Sequence, residues 1–139
     1  MKRKCFALIA FLLLTAGSVG AQQPANDPIG EALFPPELVM QHQQAIGLTD
    51  SQKEFLKTEL RKMQLRFTEL QWQLSDELEK MVALVKQETL DEPAVLAQLD
   101  KVLNAEREIK RLQFSLLIHI RNNLTPEQRA RLSELKKGK

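Results

Sequence analysis

Residues 49–88, TDSQKEFLKTELRKMQLRFTELQWQLSDELEKMVALVKQE, hold neither glycine nor proline, and their apolar side chains recur in steps of four and three. Leu56, Leu60, Met63, Phe67, Leu70, Leu74, Leu78, Met81 and Val85 form that seam, the pattern of a helix buried along one side. The spacing predicts a single helix of about 40 residues, about 60 Å long at 1.5 Å per residue. Globular helices average about 11–12 residues, so one of this length needs a partner along its side. Its start is marked by Thr49-Asp50-Ser51-Gln52, a capping box in which the threonine hydroxyl accepts from the Gln52 backbone N–H and the glutamine side chain reaches back. Asp50 adds a negative charge where the helix dipole favours one.

Outward from this helix, Asp91 and Pro93 open a second one running to about Asn123, with a stripe of Val95, Leu99, Val102, Ile109, Leu112, Leu116 and Ile120 interrupted by Glu106. Two long helices joined by a few residues form an antiparallel hairpin. Thr125-Pro126-Glu127-Gln128 repeats the capping box ahead of a last short helix carrying Leu132 and Leu135. On the other side, Pro36 to Ile46 reads as a first short helix, with Val39, His42 and Ile46 inward and Gly47 just past its end. A turn near Leu90 places both capping boxes and both short helices at one end of the hairpin, its base. Lys53 to Arg66 carries five basic and two acidic residues, and Arg107 to Arg121 four and one, whereas Asp76 to Glu92 near the tip carries six acidic and two basic. The hairpin is therefore expected to be positive at the base and negative at the tip.

Length allows one domain of the 139-residue chain. Met1-Lys2-Arg3-Lys4, the apolar run from Cys5 to Leu14 and the small residues Val19-Gly20-Ala21 have the order of a cleaved export signal, residues 1–21. The run is too short for a membrane span. Residues 22–33 read as a flexible tail, 34–135 as the helical domain and 136–139 as a basic C-terminal tail. Without residues 1–21 the 20 basic and 18 acidic side chains become 17 and 18, so the basic balance belongs to the signal and argues for no nucleic-acid partner. The single cysteine, Cys5, leaves with it.

Chemistry is sparse. No glycine-rich phosphate loop and no Ser/His/Asp arrangement stands out, so the chain reads as non-enzymatic. Asp76/Lys80 and Glu106/Lys110 fit ion pairs four residues apart on solvated faces. Two histidines, His42 and His119, both near the base, are the candidates for a divalent transition metal (Zn, Ni, Co or Cu), with Glu59 or a methionine beside them. The alternative is that each fills a boundary position, since neither has a second ligand one turn away. Leu65 and Trp72, off the seam of the first long helix, and Phe114 and Leu117, off that of the second, exceed what one hairpin buries. With the basic Lys57, Arg61 and Arg111 they make a candidate surface for client proteins, a signalling partner or a second copy.

Leu48-Thr49-Asp50-Ser51-Gln52 and Leu124-Thr125-Pro126-Glu127-Gln128 are two copies of an LTxxQ motif. Paired copies flanking a helical hairpin behind an export signal resemble the Spy/CpxP-like periplasmic proteins of Gram-negative bacteria, in a superfamily with ZraP-like and CnrX-type heavy-metal proteins. The resemblance covers about Phe34 to Leu135 and implies an all-α fold, a cradle-like antiparallel homodimer, and a role in envelope stress: chaperoning unfolded clients or restraining a membrane signalling protein. It equally admits heavy-metal sensing. The nickel–cobalt sensors carry His-x-x-x-His, a glutamate and His-x-x-x-Met on successive helices; here the pairs read His42-x-x-x-Ile46 and His119-x-x-x-Asn123, each lacking one ligand. The histidine-rich tails of the zinc-responsive members are absent as well.

Overall fold

The computed structural model describes residues 28–138, which form helices joined by turns and contain no strand. In order these are α1 (Pro28–Ala32), α2 (Pro36–Gln41), α3 (Asp50–Val85), α4 (Glu92–Asn123) and α5 (Pro126–Lys137). The expected export signal and residues 22–27 of the expected tail lie outside the described residues. Within the described part of that tail α1 forms a helix, contrary to the reading of residues 22–33 as lacking regular structure.

α3 and α4 pack side by side as the antiparallel hairpin. Glu59 meets His119 and Glu77 meets Gln98, the register set by a turn near Leu90. The hairpin forms with its turn centred slightly before Leu90, and the seam departs from its apolar reading in the distal half. Leu78 and Val85 are exposed, while Glu77 and Leu84 are half-buried in their place. On α4 Val102, Leu116 and Ile120 are buried as expected, but Gln98 and Ala105 are buried where Leu99 and Glu106, which face solvent, had the expected places. The strict alternation of four and three residues runs through 77, 81 and 84, so geometry overrides the more apolar neighbours.

The main core lies at the base, where Phe34, Val39, Ile46, Leu48, Leu56, Leu116, Ile120, Leu124 and Leu132 form one cluster with Leu38, Leu60, Met63 and Leu135 against it. α2 ends at Gln41, earlier than expected; residues 42–47 continue as turns. Gly47, at φ 62°, takes the left-handed conformation that lets the chain reverse into Leu48 and α3. α5 extends through Lys136 and Lys137, so the expected basic tail from residue 136 is in part helical. Lys136 donates to the carbonyls of Gly30 and Leu33, and Arg121 Nε donates to Ala32 O at 3.1 Å, so two cations hold the C-terminal end of α1 on the base. Asp91 is the N-cap of α4 as expected, though its side chain makes no capping hydrogen bond.

Candidate functional site

Each LTxxQ copy builds the capping box that its sequence specifies. Thr49 Oγ1 accepts from Gln52 N at 3.2 Å and Gln52 Oε1 accepts from Thr49 N at 3.0 Å; Thr125 and Gln128 repeat this at 3.2 and 2.9 Å. The leucines of both copies, Leu48 and Leu124, are buried in the base core. The glutamines do more than cap. Gln52 Nε2 donates to Gln128 Oε1 at 2.8 Å, and Gln128 Nε2 donates to Gln52 Oε1 at 2.9 Å. Gln52 Nε2 also donates to the carbonyl of Asn123 at 2.8 Å, and Gln128 Nε2 to that of Gly47 at 3.3 Å. Asn123 and Gly47 each precede the opposite threonine by two residues, so the two copies are related by a local two-fold. Both amides use both donors and accept twice, their full capacity. The motif pair is thus a single clasp joining the N-termini of α3 and α5.

Next to the clasp, His119 Nδ1 lies 2.7 Å from Glu59 Oε2, bridging α4 and α3. Lys62 Nζ holds the other oxygen of Glu59 at 3.0 Å. The hydrogen bond with His119, then that with Lys62, holds the Glu59 carboxyl below the usual carboxylate range. Phe55, Glu59, His119, Asn122 and Asn123 line a shallow cleft of about 360 Å³. The buried Asn123 Oδ1 has no hydrogen-bond partner.

As a metal site this is incomplete, and the buried Asn123 oxygen is not shown to face the cleft. His119 and Glu59 offer nitrogen and oxygen donors suited to a borderline divalent ion, but His42 does not line the cleft. His42 Nε2 is instead buried without a hydrogen-bond partner. Among the described residues no group of three or more His, Cys, Asp or Glu side chains is placed to hold a metal.

The residues expected to form a partner surface divide between two places. Arg111 and Phe114 share an open cleft of about 390 Å³ with Arg66, Leu70, Glu108, Leu112, Ser115 and Ile118. Leu65 and Trp72, 72% and 70% exposed, line neither this cleft nor the one beside His119. Seven residues apart, they stand on one face of α3. Leu117 is half-buried, and its neighbour Ile118 is the exposed residue instead. Lys57 is paired with Glu54 at 2.7 Å and Arg111 lies 3.9 Å from Glu108, whereas Arg61 makes no ion pair among the described residues. The expected Asp76/Lys80 and Glu106/Lys110 pairs do not form; Lys80 turns back three residues to Glu77 at 2.8 Å.

Sequence reasoning missed several exposed apolar residues of the distal half, including Val82, Leu96 and Leu103. The available signal was the strict seven-residue period, which excludes these positions from the seam. Leu74, Leu103, Glu106, Arg107, Ile109 and Lys110 line a further open groove of about 640 Å³ there. No helix among the described residues is long and apolar enough to cross a membrane.

No curated protein and no solved structure matches the chain. A family of helical, non-enzymatic resistance and sensor-type proteins does match, and its sequence model spans nearly all of the hairpin with both LTxxQ copies. With residues 6–131 matched, the chain belongs to the heavy-metal resistance family, that of the Spy/CpxP/ZraP/CnrX-like helical proteins.

Proposed function

We propose that this chain acts without catalysis in the periplasm, as an antiparallel homodimer that binds unfolded clients or a membrane signalling protein during envelope stress. The observation that carries this reading is the amount of exposed apolar side chain on both long helices, Leu65 and Trp72 on α3 and Phe114 and Ile118 on α4 among it. Basic residues on the base half, Arg61 foremost because it makes no ion pair among the described residues, favour acidic segments of a client. The test is suppression of aggregation of a reduced, denatured probe protein. The parent is expected to suppress it at near-stoichiometric ratios, and Trp72→Ser with Phe114→Ser to lose most of that effect. A parent without effect contradicts the chaperone form of the reading.

A second reading is favoured by the His119–Glu59 pair, which lines a cleft at the base, and by the family itself. In it the chain senses or buffers a divalent metal through His119, with Glu59 as co-ligand and His42 contributing after a rearrangement of the base. Calorimetry with Zn²⁺, Ni²⁺, Co²⁺ and Cu²⁺ separates the readings. Tight stoichiometric binding lost in both His42→Ala and His119→Ala favours the sensor; no binding favours the protein-binding role.

A further inference from the structure

In its tip half α3 has two possible seams, which share Leu74 and Met81. One continues through Leu78 and Val85, the other through Glu77 and Leu84. A straight α-helix drifts by about 20° per heptad, which over the stretch from Leu56 leaves Glu77 about 60° off the starting line and Leu78 only about 40° off. Leu56, Met63, Leu70, Glu77 and Leu84 stay on one line only at the under-wound period of about 3.5 residues per turn. The second seam is the one that forms: Glu77 and Leu84 are half-buried, whereas Leu78 and Val85 are 44% and 46% exposed. A polar contact marks the place where the two diverge. Gln98, 5% exposed in the seam of α4, donates from Nε2 to the Glu77 carbonyl at 2.8 Å and to Glu77 Oε2 at 2.6 Å. Lys80 holds the other carboxylate oxygen of Glu77 at 2.8 Å. Gln98 thereby grips both the backbone and the side chain of one α3 residue.

We propose that Gln98 is a positioning residue: its grip on Glu77 holds α3 in the heptad phase and so turns Leu78, Val82 and Val85 outward as an interface for a second copy of this chain. A buried polar group in a helix seam adds little stability and fixes how the two helices meet. Without the grip, α3 would bury Leu78 and Val85 inside its own hairpin and present Glu77 and Leu84 instead. Leu96, Leu99 and Leu103, exposed on α4 one residue beyond Val95, Gln98 and Val102, extend the same interface. Charge identifies the occupant. The apolar stripe of α3 lies within Asp76 to Glu92, six acidic residues against two basic, and the stretches of opposite balance, Lys53 to Arg66 and Arg107 to Arg121, lie at the base of the same chain. A second copy laid antiparallel brings one against the other. The occupant rests on the homodimer proposed above, but the phase of α3 does not.

Thiol labelling of the chain from residue 22 onward, which holds no native cysteine, tests both parts. Val85→Cys and Leu84→Cys are made separately, each with and without Gln98→Ala, and treated with a maleimide at a dilution where sedimentation shows monomer. The thiol at position 85 is expected to react about tenfold faster than that at position 84, and Gln98→Ala is expected to reverse the order. An order that Gln98→Ala leaves unchanged, or two thiols that both turn fast because the tip melts, would overturn the positioning role. Raising the concentration of Val85→Cys until it dimerises is expected to slow its labelling by about tenfold. A dimer that leaves this thiol fast would overturn the interface and keep the homodimer. A chain that stays monomeric at every concentration would overturn interface and homodimer together, while the dilute measurement still decides the role of Gln98.

Discussion

The side-chain amides of Gln52 and Gln128, 76 positions apart, are bonded to each other in both directions, at 2.8 and 2.9 Å. Each also caps its own helix, so removing either amide leaves the other with a part-buried donor and acceptor unpaired. Gln52→Ala and Gln128→Ala are each expected to destabilise by about 2–3 kcal/mol in urea unfolding. The double variant should cost less than their sum by about 1 kcal/mol, since the second removal finds its partner already gone. Strict additivity would contradict a shared clasp.

The threonines act locally. Thr49→Ala and Thr125→Ala each remove one hydroxyl acceptor at 3.2 Å from a backbone N–H. Each should cost about 1 kcal/mol. For a domain of this size that is a fall of about 4 °C in Tm. Melting curves that coincide with the parent's would show that the hydroxyls contribute nothing.

Acid should weaken the bridge between α3 and α4. The Glu59 carboxyl is held below its ordinary range by His119 and then Lys62. Its contribution is therefore fully present above the unfolded carboxylate pKa, about 4.3, and is lost as pH falls through the lower folded value. Glu59→Gln should flatten the loss of Tm between about pH 5 and pH 3. An unchanged acid slope in thermal melts followed by circular dichroism would contradict this.

The base half of the hairpin was legible because its signals agree. In both LTxxQ copies the capping threonine and the following apolar stripe point the same way, and the structure places both as expected, with the leucines joining the base core. The tip half was misread where the signals conflict. Leu78 is more apolar than Glu77, yet the period puts Glu77 in the seam, where Gln98 engages its carboxylate and carbonyl. Ala105 likewise occupies the seam position that the apolar stripe assigns to its neighbour Glu106. The pairing of Gln52 with Gln128 had no local signal, because it exists only once the two turns at the base meet. For His119 and Glu59 the common level followed from the hairpin register, whereas whether His42 joins their cleft, which it does not line, depends on how the turn at 42–47 packs.

Charge sets the direction of the proposed dimer. A parallel pair would oppose base to base and acidic tip to tip, whereas an antiparallel pair sets each base stretch against a tip. Exposed ion pairs contribute only about 0–1 kcal/mol each, so they select orientation more than they add affinity. A nitroxide label at Glu88→Cys, on the chain from residue 22 onward, should give a long label-to-label distance. A short distance, or a protein monomeric at high concentration, would contradict the arrangement.

Trp72, the only tryptophan and 70% exposed on the outer face of α3, gives the most direct test of the proposed binding surface. On titration with a tryptophan-free denatured client, its emission should shift to shorter wavelength and saturate at a defined ratio, as the indole leaves water. The shift should be absent with a folded control protein. Emission that stays at its solvent-exposed position while the client is held soluble would place binding elsewhere and contradict the account.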